Sequence, residues 1–365
     1  MFFTKTVRHF AVLIVSCNFC GVLCAQTQKE IRDKWEEKER IVESFSITWS
    51  EAHHRPEGKV LVEEGELETP KISTALDYSL SLQGIRYRYG VNGKLPRLQE
   101  GETVLSYRDT VSVFDGRRGK GLSSSESRVN QMGQIFETEE RPGIMNNMSV
   151  QPVMFCFRML NPKMSPIDTS KPFEIENTTV NGKSRVNVTF VDKDQRVERQ
   201  LVLAPELDMS VVTYRLKVHG RAKTQFDLSY KRDSQANFWV PSGWTITRLA
   251  NDGSIKSTIV GTVEECEVNP GLPDSEFELD FPVGTVINDM VENKTYVFRD
   301  DGSKRKVVRE ELIDQVPAKQ LMETEPFDPL ADGRRSRWNW LFFANAILLV
   351  LLLVAAVKKI RNRRG

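Results

Sequence analysis

The chain has 365 residues, 39% of them hydrophobic and 28% charged, with a formal net charge of +1. That balance suits a folded domain and excludes a largely disordered chain. Near-zero charge, with no basic stripe carrying interleaved aromatics, excludes nucleic acid as the expected partner.

Residues 1–25 predict an export signal. Lys5, Arg8 and His9 give a positive start, Phe10 to Leu23 a mostly apolar stretch, and Cys24-Ala25 a small-residue cleavage position before Gln26. The stretch is interrupted by Asn18 and too short to span a bilayer. Ile14-Val15-Ser16-Cys17 fits a lipid-attachment box loosely, so lipidation at Cys17 competes with cleavage. From Gln28 to Phe45 the period is helical, with Ile31, Trp35, Ile41, Val42 and Phe45 forming an apolar stripe. The charged run from Glu36 to Arg40 reads as a solvated face with i,i+4 pairs.

After Pro56 the period changes to two. Leu76, Tyr78, Leu80 and Leu82 alternate with polar residues, Gly84 breaks the run, and Ile85, Tyr87 and Tyr89 resume it. The same alternation returns at Val186-Val188-Phe190, Val212-Tyr214-Leu216-Val218, Phe226-Leu228-Tyr230 and Phe277-Leu279-Phe281. Turns are expected at Asn92-Gly93, Asp115-Gly116, Asn181-Gly182, Asp252-Gly253 and Asp301-Gly302. One-sided strands joined by short loops make an antiparallel meander with one dry face.

The apolar segment Pro152 to Leu160 lacks alternation and is bounded by prolines, which predicts a short helix or a covering segment over the sheet. Beyond Arg305 the chain turns polar and proline-punctuated, the pattern of a linker over 306–337 with a helical turn near Val307–Ile313. Residues 338–357 are uncharged, begin with Trp338 and Trp340, and are long enough to cross a hydrocarbon core of about 30 Å. Lys358, Lys359, Arg361, Arg363 and Arg364 follow in a basic tail over 358–365. A signal at the front and an anchor at the back predict a single-pass inner-membrane protein with its bulk on the extracytoplasmic side.

Residues for chemistry are sparse. His53-His54 read as part of a polar loop, and His219 as a surface residue at a strand end. Gly116 to Gly121 has the wrong glycine spacing for a phosphate loop, and Asp192 to Arg196 lacks the glycine and glutamate of a calcium loop, so it reads as a hairpin tip. No catalysis, cofactor or metal site is expected. The mature chain keeps Cys156 and Cys266, which are either two isolated thiols or, since export permits it, a disulfide.

Several patterns line up in order: Arg40 to Trp49, Leu80 to Tyr89, Val113 to Arg117, Trp239 to Trp244 and Phe277 to Thr285. Together they resemble the lipoprotein-carrier (LolA-like) superfamily of bacterial envelope proteins, over roughly Ile31 to Val307. The resemblance implies a mainly β (α+β) fold over 26–305: a curved antiparallel half-barrel with helices plugging its concave side. It further implies a lipid, an acyl chain or a lipoprotein tail as ligand. The carriers are smaller and soluble, whereas this chain is longer and carries an expected anchor.

A curved sheet with one apolar face must bury that face against its own helices, a second sheet or a ligand. The helix at Ile31–Phe45 and the Met154–Leu160 segment are the expected lids. The expected ligand-binding residues are therefore Trp35, Met154, Phe157 and Leu160, with Tyr87 on the sheet face. An acyl chain displacing a loose lid gains roughly 0.8 kcal/mol per buried CH₂. The competing expectation is a face filled by its own side chains, leaving an envelope protein partner and a scaffolding or regulatory role.

Overall fold

A computed structural model describes residues 28–324, apart from 57, 63–64, 70–71, 100–101, 127, 138–143, 145–146, 193, 195 and 234–236. The expected export signal at 1–25, the anchor at 338–357 and the tail at 358–365 lie outside the described residues, as does the linker beyond 324. Among the described residues, no helix is long and apolar enough to cross a membrane.

Helix α1 (residues 28–41) leads straight into β1 (Ser44–Arg55). A hairpin of β2 (Gly58–Val62) and β3 (Gly65–Thr69) forms a separate two-stranded sheet. The chain then returns as β4 (Ile72–Gln83), antiparallel to β1, with Trp49 opposite Tyr78 and Glu51 opposite Leu76. A meander continues through β5 (Arg86–Gln99), β6 (Glu102–Phe114), β7 (Arg118–Ser125) and β8 (Met132–Glu137).

After the short helix α2 (Gln151–Phe157) comes a second meander. Its strands are β9 (Glu174–Val180), β10 (Lys183–Asp192), β11 (Val197–Ala204), β12 (Ser210–Val218), β13 (Arg221–Arg232), β14 (Trp239–Leu249) and β15 (Ile255–Val268). Its last strand pairs with the free side of β1, so β1 joins the two meanders. Finally β16 (Val286–Asp289), β17 (Lys294–Phe298) and β18 (Lys304–Lys306) extend the β8 edge. The result is one open, curved sheet of 16 strands with β18 and β9 at its edges.

Curvature has a local cause. The ladders β11·β12, β12·β13, β13·β14, β14·β15 and β15·β1 each carry a register shift. A residue inserted on one strand bends it and increases its twist. The ladders from β4 to β8 run without a shift. The bulged half wraps α1, α2 and the segment 158–173, and its inward residues form the main core with those of β1, β4 and β5. Trp49, Phe45, Ile47, Leu80 and Leu82 are fully buried there.

Most of the expected alternation is seen as strands, and Asp115-Gly116, Asn181-Gly182, Asp252-Gly253 and Asp301-Gly302 all sit at turns. At Asp115 the side chain builds the turn, its Oδ1 accepting from the N–H groups of Arg117 at 2.8 Å and Arg118 at 2.7 Å. Two expectations are corrected. Asn92-Gly93 lies inside β5, because the β5–β6 ladder runs unbroken from Tyr87 to Gln99 and long-range pairing overrides a local turn preference.

Phe277-Leu279-Phe281 is not a strand. Phe277 and Leu279 are buried, yet the segment lies between Pro273 and Pro282 and strays from any ladder. Its carbonyls accept from side chains instead: Arg88 Nη1 donates to Glu278 O at 3.2 Å and Lys120 Nζ to Leu279 O at 2.9 Å. The segment straps the convex face and delivers the chain to β16, which runs parallel to β8. A parallel neighbour needs such a crossover.

Helices α3 (Arg309–Ile313) and α4 (Ala318–Glu323) fall within the stretch expected as linker, and as far as Thr324 that stretch is packed structure. Val286, Val297, Val307 and Leu321 form a second small core there. The buried Arg305 guanidinium clamps it, donating to Glu311 at 2.6 and 3.0 Å and to Thr324 O at 2.8 Å.

Candidate functional site

The five residues expected to hold a ligand all contribute to the main core. Trp35 lies on the inner face of α1 and donates its Nε1–H to Met209 O at 3.1 Å. Phe157, at the end of α2, stacks on Phe45 with ring centroids 4.6 Å apart. Met154 is buried on the same helix, and Leu160 is half-buried just beyond it, its N–H donating to the Glu39 carboxylate of α1.

Burial raises the Glu39 carboxyl above its ordinary range. Beside it Arg158 donates to Phe157 O at 2.9 Å and covers the Phe45 ring at 5.6 Å. Between α1 and α2, the space bounded by Trp35, Phe155, Cys156, Phe157 and Met159 leaves no volume for a water molecule. The lids are in place, and this half of the concave face is filled by the chain itself.

Cys156 and Cys266 are both free thiols, so the alternative of a disulfide is not formed. Cys156 points to Trp239 O at 3.7 Å, and burial pushes both thiols up to about 12.

One buried polar cluster has no counterpart in the sequence reading. Glu51 takes the inward position after Ile47 and Trp49 on β1, and is 0% exposed. Its carboxylate accepts from Ser149 Oγ at 2.7 Å and from the indole Nε1–H of both Trp49 and Trp244, each at 3.2 Å; His53 Nε2 lies 3.0 Å away. A carboxylate taken out of water without donors would be too costly to bury, and these groups replace its hydration.

Trp244 reaches Glu51 by lying flat across Gly261 of the neighbouring strand, where an added Cβ would come within 2.2 Å of the ring. His53 is therefore corrected from a loop residue to a strand residue, because the β1–β15 and β1–β4 ladders both run past it. Ser149 belongs to the entry of α2, and Asn147 two residues earlier donates to Tyr89 OH at 2.7 Å. The cluster thus fastens the lid to the sheet from inside.

The concave face continues past the lid onto β6, β7 and β8, where its character changes. Tyr87 marks the boundary: it stacks on Phe114 with centroids 5.7 Å apart. Burial pushes that phenol up to about 12. Beyond it the inward positions are hydroxyls, glycines and amides. Thr110 faces Ser123 and Met132, and Ser112 faces Gly121 and Gln134.

With Asn288 of β16 and Leu312 and Gln315 of α3 and its C-terminal turn as a wall, these residues line an open groove of about 640 Å³. That volume is in the range that takes a small ligand. At one end the Phe136 ring lies across Gly119, which only a residue without a side chain permits. At the other end stand Arg108 and Arg128. Of these groove residues the sequence carries one faint signal, the hydroxyls at 110 and 112 on alternate positions of β6, and periodicity alone reads them as a solvated face.

No known protein family matches the sequence, and no curated protein matches it either. Among solved structures, one match is the crystal structure of a domain assigned as an outer membrane lipoprotein-sorting protein from Vibrio parahaemolyticus. It is 10% identical, with a TM-score of 0.42, over 68% of this chain and 95% of that one. At that score and identity the likeness decides nothing about what this chain does.

Proposed function

We propose that the protein is a membrane-held extracytoplasmic binding module that takes the apolar chain of a lipid or lipid-modified protein in the groove on β6, β7 and β8. The observation that carries this reading is the break in the concave face at Tyr87. On one side the face is filled by α1 and α2; on the other it runs on as an open groove of about 640 Å³ bordered by Phe136, Met132 and Leu312. The resemblance of the strand and turn patterns to envelope lipoprotein carriers agrees with a lipid-type ligand. The apolar stretch 338–357 would hold the domain at the membrane from which such a ligand comes. No catalytic step belongs to the proposal.

The test is a photoactivatable fatty acid supplied to cells making the full chain, with adducts mapped by mass spectrometry. Adducts concentrated on β6, β7 and β8 are expected. Adducts absent from those strands, while other membrane proteins are labelled, would overturn the reading.

A second reading has one observation in its favour. The interior between α1 and α2 has no free volume, as expected of an interaction scaffold that holds no ligand. The same experiment separates the two, because a scaffold acquires no groove adducts.

A further inference from the structure

The groove is polar in an asymmetric way. At one end Phe136 and Phe114 face each other across Gly119 and adjoin the core through Tyr87. Six residues along β6, roughly 20 Å away at strand spacing, Arg108 sits opposite Ser125 in the β6–β7 ladder. Arg128 is brought to the same end by its N–H, which donates to Ser125 O at 3.0 Å.

Both arginines line the groove, and among the described residues no aspartate or glutamate does. Arg108 spends its Nε–H on Thr110 Oγ1 at 3.1 Å, which orients the guanidinium along the groove floor. Among the described residues neither arginine enters an ion pair. The carboxylate of Glu126, two residues before Arg128, accepts from Tyr107 N at 3.1 Å.

Two exposed guanidiniums without an ion pair, beside hydroxyls and amides, have the chemistry to take a planar or tetrahedral oxyanion. Each presents paired N–H groups that match carboxylate or phosphate oxygens, and such charge-assisted bonds are about twice as strong as neutral ones. We infer that the groove selects amphiphiles with an anionic head, a phosphate or carboxylate, held by Arg108 and Arg128 while the alkyl chain runs toward Phe136. This inference rests on the proposed chain-binding role and adds the chemistry of the head group to it.

The experiment uses full-length protein in nanodiscs of phosphatidylcholine. Diazirine-bearing alkyl probes of one chain length end in phosphate, hydroxyl or trimethylammonium, and adducts on β6, β7 and β8 are quantified. The phosphate probe is expected to label the groove roughly tenfold more than the other two. Arg108→Ala with Arg128→Ala removes that preference, and Arg108→Glu with Arg128→Glu turns it toward trimethylammonium, with the unfolding midpoint unchanged in both.

Inorganic phosphate is added as competitor. Failure to displace the alkyl phosphate places recognition in a lipid-type head with its chain. Displacement at equal concentration would make free phosphate the ligand and overturn the amphiphile. Equal groove labelling by all three probes would overturn the anionic head alone and leave the chain reading standing. No groove labelling by any probe would overturn both.

Discussion

The two halves of this sheet share one design and end differently. From β11 round to β1 every ladder is bulged, and the bent strands close on α1 and α2, with no room for a water between the two helices. From β4 to β8 the ladders are unbroken; β4 and β5 still lie under the cover, but over β6, β7 and β8 the same concave face stays open. Bulges set how tightly a sheet can wrap its own cover. Beyond the cover the face needs polar side chains or a ligand, and β6 and β7 supply threonine, serine and glycine.

Four measurements would break or sharpen that contrast. The largest effect belongs to the filled half: Phe157→Ala removes a fully buried ring from between α2 and Phe45 and is expected to cost about 4 kcal/mol in denaturant unfolding. A cost near that of a surface substitution would mean that the lid is not closed in solution. Next comes Glu51→Leu, which strands the indole N–H groups of Trp49 and Trp244 and the Ser149 hydroxyl. The expected loss is about 3 kcal/mol, together with faster amide exchange over residues 147–157. Unchanged exchange there would separate the carboxylate from the lid.

The third measurement is alkaline titration. Folding raises both thiols to about 12 from an ordinary value of 9.0. Their contribution to stability is complete below about pH 9, where the thiols are protonated in both states. Above that the unfolded chain loses protons that the folded chain keeps, so stability falls up to about pH 12. The slope is about 1.4 kcal/mol per pH unit for each thiol. A flat profile from pH 9 to 11 in urea melts would contradict the burial of Cys156 and the partial burial of Cys266. The smallest effect is in the open half: Ser123→Ala on the groove floor should shift stability by no more than about 0.5 kcal/mol. A larger loss would show that the groove wall is structural after all.

The outcomes at single residues show how far a sequence can be read here. Apolar periodicity places Trp35 on a covering element, and an unbroken apolar run between prolines does the same for Met154 and Phe157; all three cover the sheet, because apolar surface of that size has to be buried somewhere. The Asp-Gly turns held where a side chain such as Asp115 builds the turn itself. Asn92-Gly93 failed because its partner strand β6, supplied from farther along the chain, goes on pairing past it. His53 was misread for the same kind of reason: nothing local says that β1 would be flanked on both sides. Nothing local marks Glu51, since its four neighbours come from three different parts of the chain.

By itself the sequence determined the one-sided strands, the helical lids, the polar turns and the apolar stretch near the C-terminus. These rest on periodicity and composition, which act over a few residues at a time. Only the tertiary structure decided which half of the sheet would bend around its cover and which would stay open. That choice depends on the register of strands far apart in the chain, which periodicity does not reach.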